Sequence, residues 1–214
     1  MPEAKKILAW HFTDGLKLRD GQPLEVGKTY THKGKVKICE SGYHASEHLL
    51  NALQYAPGAQ VSRVECWGSV KTQSDKLVAK NRKVLWTLDA TMVLHEFACR
   101  VAEQALAKID NPDPRSLAAV EAKRKWMRGE ITIAELAAAW DAAQDATWSA
   151  AQAAAWYAAR AVAWSAAQAV AQAAAWSATW SAAQDATWYA ARSEHNDLLT
   201  QMVEEAHTKE NSHD

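Results

Sequence analysis

Along the first ninety residues, apolar and polar positions alternate in short runs separated by turn signals; further on they settle into a period of four. Ile7-Leu-Ala-Trp-His-Phe12 is an apolar run closed by Asp14-Gly15, which predicts a strand ending in a turn. Lys35-Val-Lys-Ile-Cys39 alternates polar and apolar, the period-2 mark of a half-buried strand. Val61 to Trp67 and Lys83 to Leu88, rich in β-branched and aromatic residues, predict two more. Ala45 to Tyr55 has a helical pattern that stops before Pro57-Gly58, and Thr91 to Ile109 places Val93, Phe97, Val101 and Leu106 near one helix face.

Asn111-Pro-Asp-Pro114 marks a boundary, because two prolines so close cannot sit inside a helix. A helix is expected over Ser116–Arg128, closed by Gly129. Thr132-Ile-Ala-Glu135 then has the spacing of a capping box, with Ile131 and Leu136 in the two staple positions. From Leu136 on, every fourth residue is of one class. Trp stands at 140, 148, 156, 164, 176, 180 and 188, the intervening members being Gln144, Gln152, Arg160, Gln168, Gln172, Gln184 and Arg192, while other columns are mostly Ala. Trp-Ser-Ala-Ala-Gln recurs at 148, 164 and 180, so a unit of 16 residues overlies the tetrad. Ala favours helix and no Gly or Pro follows Gly129, so residues 133–206 are expected to be helical. A four-residue column drifts about 40° per step around a helix. A straight rod would therefore point its indoles in all directions. Several short stacked helices, or one strongly curled helix, would bury them.

The predicted class is α+β. A small α+β domain spans residues 1–109, a linker and short helix 110–130, an all-α Ala/Trp tetrad-repeat array 131–206, and a tail 207–214. Composition narrows the function. With 24 Lys+Arg against 25 Asp+Glu, the chain has no bulk charge that would draw it to nucleic acid or anionic lipid. Charge is uneven along the chain: residues 1–90 carry 14 basic against 9 acidic residues, and residues 193–214 carry one Lys against six acids. Three cysteines (Cys39, Cys66, Cys99) in no paired spacing suggest a reducing compartment, and no secretory signal is expected behind Lys5-Lys6. Asp, Gln, Arg and Ser interrupt the Ala/Trp region too often for a bilayer span. A cytoplasmic location without membrane contact is expected, with homo-oligomerisation open to the repeat.

Among candidate chemistry, His44-Ala-Ser-Glu-His48 has the letters of an inverted zinc-peptidase motif, but nothing supplies a third ligand, and no metal is expected. Lys123-Arg-Lys-Trp-Met-Arg128 is taken as a solvated basic helix face, and Cys66 and Cys99 as buried, inert thiols.

Several stretches carry a resemblance. Trp10-His-Phe12, Ser41-Gly-Tyr-His-Ala-Ser46, Ala52-Leu-Gln-Tyr-Ala-Pro-Gly58, Arg63-Val-Glu65 and Asp75-Lys-Leu-Val-Ala79 resemble an uncharacterised domain common in tailed phages and prophages. The Ala/Trp repeat is similar to the tail of many of its members and to a class of predicted bacterial immunity proteins. The resemblance implies a phage-type accessory protein that acts by binding a small ligand, a nucleotide or a host protein, in the host cytoplasm. A fainter resemblance links His11, Gly42-Tyr43, Ala45, Ala52 and Tyr55 to the elements with which ADP-ribosyltransferases clamp nicotinamide and ribose. It implies NAD as the alternative ligand, with Glu65 as the candidate acid. The candidate ligand-binding residues are His11, Tyr43, His44, Tyr55 and Glu65, expected on one side of the sheet; no cofactor is expected under the leading reading.

Overall fold

The computed structural model describes residues 5–146 and 186–212. An antiparallel sheet and, among the described residues, five helices make a mixed α+β chain. Two compact units form: described residues within Met1–Ala90 together with Val203–Asp214, and those within Thr91–Met202.

In the first unit the strands are β1 (Ile7–Thr13), β2 (Thr29–Thr31), β3 (Tyr43–Ala45), β4 (Gln60–Thr72) and β5 (Leu77–Asp89), with α1 (Leu49–Leu53) between β3 and β4. The long β4–β5 hairpin is the spine. β1 pairs with β4, while β2 and β3 share the far edge of β5. Just past β3, Ser46 exchanges two main-chain bonds with Trp10 of β1, at 2.7 and 3.0 Å. Main-chain bonds thus run from β1 through β4, β5 and β3 and return to β1 at that single bridge. Strand alternation sends Ala9, Tyr30, Ala45, Val64, Cys66, Leu77, Ala79 and Val84 into one buried cluster, joined by Leu18 and Leu24 from the loop between β1 and β2. Residues 203–212 also belong to this unit. There the His207 imidazole stacks on Trp86 at 4.1 Å, and Trp86 meets Trp10 edge-on at 5.5 Å.

Two local expectations are corrected. The helix expected over Ala45–Tyr55 is only α1, because Tyr43–Ala45 is drawn into the ladder opposite Ala79–Leu77 and Ser46 into its bridge. Lys35–Cys39 is a turn rather than a strand: Lys37 and Ser41 bond to each other through both amides, and Cys39 sits at φ 64. Its alternation survives in the burial, with Val36 buried and Ile38 half-buried between exposed neighbours.

In the second unit, α2 (Thr91–Leu106), α3 (Pro114–Met127) and α4 (Ile133–Ala146) pack around Cys99, Ala102, Leu106, Ala119, Val120, Leu136 and Ala143. Asp113 caps α3, accepting from the Arg115 amide, with Pro114 in the first turn. Gly129 follows at φ 72 and ends the α3 turn. The capping box forms: Thr132 Oγ1 accepts from the Glu135 amide at 3.2 Å, and Glu135 accepts from the Thr132 amide at 2.7 Å. The last helix, α5 (Ala186–Asn211), runs from this unit into the first. Trp148, Trp156, Trp164, Trp176 and Trp180 lie outside the described residues, and with them the body of the repeat; Trp140 is half-buried on α4.

The basic cluster of α3 is also corrected. Lys123 is fully buried, its ammonium 3.9 Å from the centre of the Trp126 ring. Arg124 pairs with Glu96 and Glu103, and Arg128 with Glu121 and Glu130. The expectation of a solvated face holds for the exposed Lys125 and Arg128 and fails for the buried Lys123 and the half-buried, doubly paired Arg124.

Candidate functional site

A cavity of about 1020 Å³ opens in the first unit. Its lining comes from β1, the loop that follows it, the turn before β3, β3 itself, α1 and the residues after it, and β5. The sequence candidates His11, Tyr43, His44 and Tyr55 all line it; Glu65 does not. The register explains the separation. His11 stands opposite Ser62, in phase with Ala9–Val64 and Ile7–Cys66, whereas Glu65 stands opposite Leu8, one residue out of phase and on the other face. There Glu65 pairs with Lys6 at 3.3 Å. The acids that do line the cavity are Asp14 and Asp20, against Lys17, Arg19, Lys76 and Arg82, so it is electropositive.

His44 is fixed at both ring nitrogens. Nε2 accepts from the Cys39 amide at 2.9 Å, and the remaining ring N–H donates to the Gly42 carbonyl. Burial, then the Lys76, Arg82 and Arg19 charges, lower its pKa, so the ring is a neutral brace for the 39–44 turn. His48 lies on the N-cap of α1 with extended backbone and His44 on a strand, so the two imidazoles do not share a helix face. Among the described residues no three metal-ligating side chains converge.

The His44 carbonyl is the organising point of the cavity wall. It accepts from Arg82 Nη1 at 3.2 Å and from the His11 ring. His11 is held neutral, its pKa lowered well below the usual histidine value by burial and then by Arg82 and His44. Arg82 itself is only 3% exposed, its guanidinium 5.0 Å from the Tyr43 ring centre, and it stands opposite Tyr30 and Cys66 in the ladders. Burial pushes the Cys66 thiol up to about 11, so it supplies no negative charge to Arg82. Nearer the solvent, Tyr55 is half exposed, bonded through its hydroxyl to Asp75, with the Lys76 ammonium 4.5 Å from its ring centre.

Two glycines make this geometry. Gly42 has φ 111, and a Cβ there would meet Val78 Cγ2 at 2.7 Å. Gly58 passes so close to β1 that its Cβ would lie 2.9 Å from the Asp14 Cα. Arg82 and Lys76 were missed as site residues. The sequence hid Arg82, which stands between Lys80-Asn81 and Lys83 in a polar run that marks none of its side chains as the buried one.

Residues 8–96 match the family model described as Domain of unknown function (DUF7666). The matched segment contains every residue that lines the cavity, from Trp10 to Arg82. No curated protein and no solved structure matches the chain.

Proposed function

We propose that this chain acts by binding, with its first unit taking a small molecule of nucleotide size in the cavity around His11, Tyr43, His44 and Tyr55. The supporting observation is the convergence of these four side chains with the buried Arg82 on one cavity of about 1020 Å³. That volume suits a mononucleotide, and an exposed tyrosine ring at its rim suits a planar group. The Ala/Trp array serves as scaffold or self-association module for this unit. A phage- or prophage-type accessory protein with such a cavity would sequester or sense its ligand in the host cell.

The placement of Glu65 argues against the transferase alternative, which needs an acid beside the sugar of NAD. Calorimetric titration with NAD, mononucleotides and cyclic nucleotides, paired with chromatography of the mixtures, tests the reading. The expected result is saturable binding without turnover, weakened in Tyr55→Ala. Nicotinamide release from NAD would replace binding by catalysis, and a flat titration with every compound would remove the nucleotide reading.

A further inference from the structure

Arg82 carries a charge into the protein interior and forms no ion pair among the described residues. Its Nη1 is committed to the His44 carbonyl, and its Nε is buried without a hydrogen-bond partner. In a guanidinium, Nη1 lies on the Cδ side. A bond through it leaves unpaired the opposite edge, where Nε–H and Nη2–H point the same way; Nε is closed to solvent as the side chain stands, so a small rotation of the guanidinium lets that edge grip two oxygens at once. Among the described residues nothing satisfies that edge. The Tyr43 ring covers a face of the guanidinium and accepts no in-plane N–H. Asp20 lines the cavity but accepts from the amide and side chain of Gln22. A desolvated cation with an unused donor edge is costly unless an anion reaches it.

We propose that the Nε–Nη2 edge of Arg82 is the anchor for an oxyanion on the ligand, a phosphate ester or a carboxylate, with His11 beside it as the second polar contact. The proposal rests on the cavity being the ligand site, and it names the group that the cavity holds. His11 is positioned for this by sharing the His44 carbonyl with Arg82, and its second ring nitrogen has no hydrogen bond among the described residues. As a neutral imidazole it accepts a proton-bearing oxygen, such as a hydroxyl next to the anion or the P–OH of a singly ionised phosphate.

The test follows the arginine Nε–H resonances of the full chain by ¹⁵N-edited NMR. The Arg82 signal is assigned through its contact with the Tyr43 ring. Inorganic phosphate, citrate, adenosine monophosphate and adenosine are added in turn. Phosphate or citrate should move the Arg82 resonance and adenosine should not; which anion does so separates the phosphate from the carboxylate form. Arg82→Lys keeps the charge and loses the fork. It should bind the effective anion at least about tenfold more weakly while melting near the parent. If neither anion moves the resonance, or if a folded Arg82→Lys binds as the parent does, the anchor is wrong. Adenosine binding at Tyr55 with a silent Arg82 would overturn the anchor and keep the cavity. Phosphate moving Arg82 while no nucleotide binds would support the anchor and overturn the nucleotide reading.

Discussion

His44 shows how much a single side chain can be constrained by its backbone neighbours. With one ring nitrogen accepting from Cys39 and the other donating to Gly42, protonation forces two donors to face each other across the Cys39 contact. Both His44 and His11 titrate below the ordinary value of 6.5 in the folded chain. As pH falls past 6.5 the unfolded chain therefore takes up more protons than the folded one. Stability contributed by neutral His44 and His11 is full above that pH and is lost as pH drops toward their folded values. Urea melts of the first unit between pH 7 and pH 5 should show this slope, and His44→Gln should flatten it. Gly42 gives a second prediction at this scale. Its φ of 111 and the 2.7 Å approach to Val78 mean that Gly42→Ala should destabilise the unit by about 1–3 kcal/mol in chemical denaturation.

Among the elements, α3 and α4 make the most separable predictions. The capping box ties α4 to its own first turn, so Thr132→Ala should cost about 1 kcal/mol and fray the start of that helix, detectable by amide exchange at Ile133 to Leu136. Lys123 behaves oppositely. Its ammonium is buried with no hydrogen-bond partner among the described residues, offset in part by the Trp126 ring, and burial pushes its pKa down to about 8. Lys123→Met removes the buried charge and keeps the volume, and should raise stability at pH 7 by about 1 kcal/mol or more. In the parent, stability of this unit should rise between pH 8 and the unfolded value of 10.5, as the unfolded lysine stays protonated after the folded one has lost its proton. The Met variant should lack that rise.

For the chain as a whole, the uneven charge acquires a structural counterpart. The basic first ninety residues share one unit with the last part of the acidic end, from Val203 on, where His207 stacks on Trp86 and Glu204 favours the charge of Arg63. Ending the chain at Met202 should expose Trp86, shift its fluorescence to the red and lower the melting temperature of the first unit. His207→Ala should cost about 0.5–1.5 kcal/mol of the same stability. In the repeat, Trp156→Ala or Trp164→Ala should cost about 3–5 kcal/mol if the indoles are packed between helices. Unchanged melting with loss of a ligand would make them a recognition surface instead.

The elements that local chemistry governs were legible from the residues alone. β-branched and aromatic runs announced β1, β4 and β5, helical periodicity announced α2, and Thr132 with Glu135 announced the start of α4. In each case the signal lies in the residue types of the segment itself. The same sequence pattern misassigned Ala45 to His48, whose conformation is decided by partners far along the chain, Trp10 for Ser46 and Leu77 for Ala45, and it misassigned Lys35 to Cys39, where the Lys37–Ser41 bonds close a local turn. The cavity divides in the same way. His11, Tyr43, His44 and Tyr55 stood out in the stretches that carry the family resemblances. That they converge, that Glu65 falls one residue out of phase onto the opposite face, and that Arg82 is buried with an unused donor edge follow from the register of β1 on β4 and of β3 on β5. Register is a property of paired strands, and no single strand contains it.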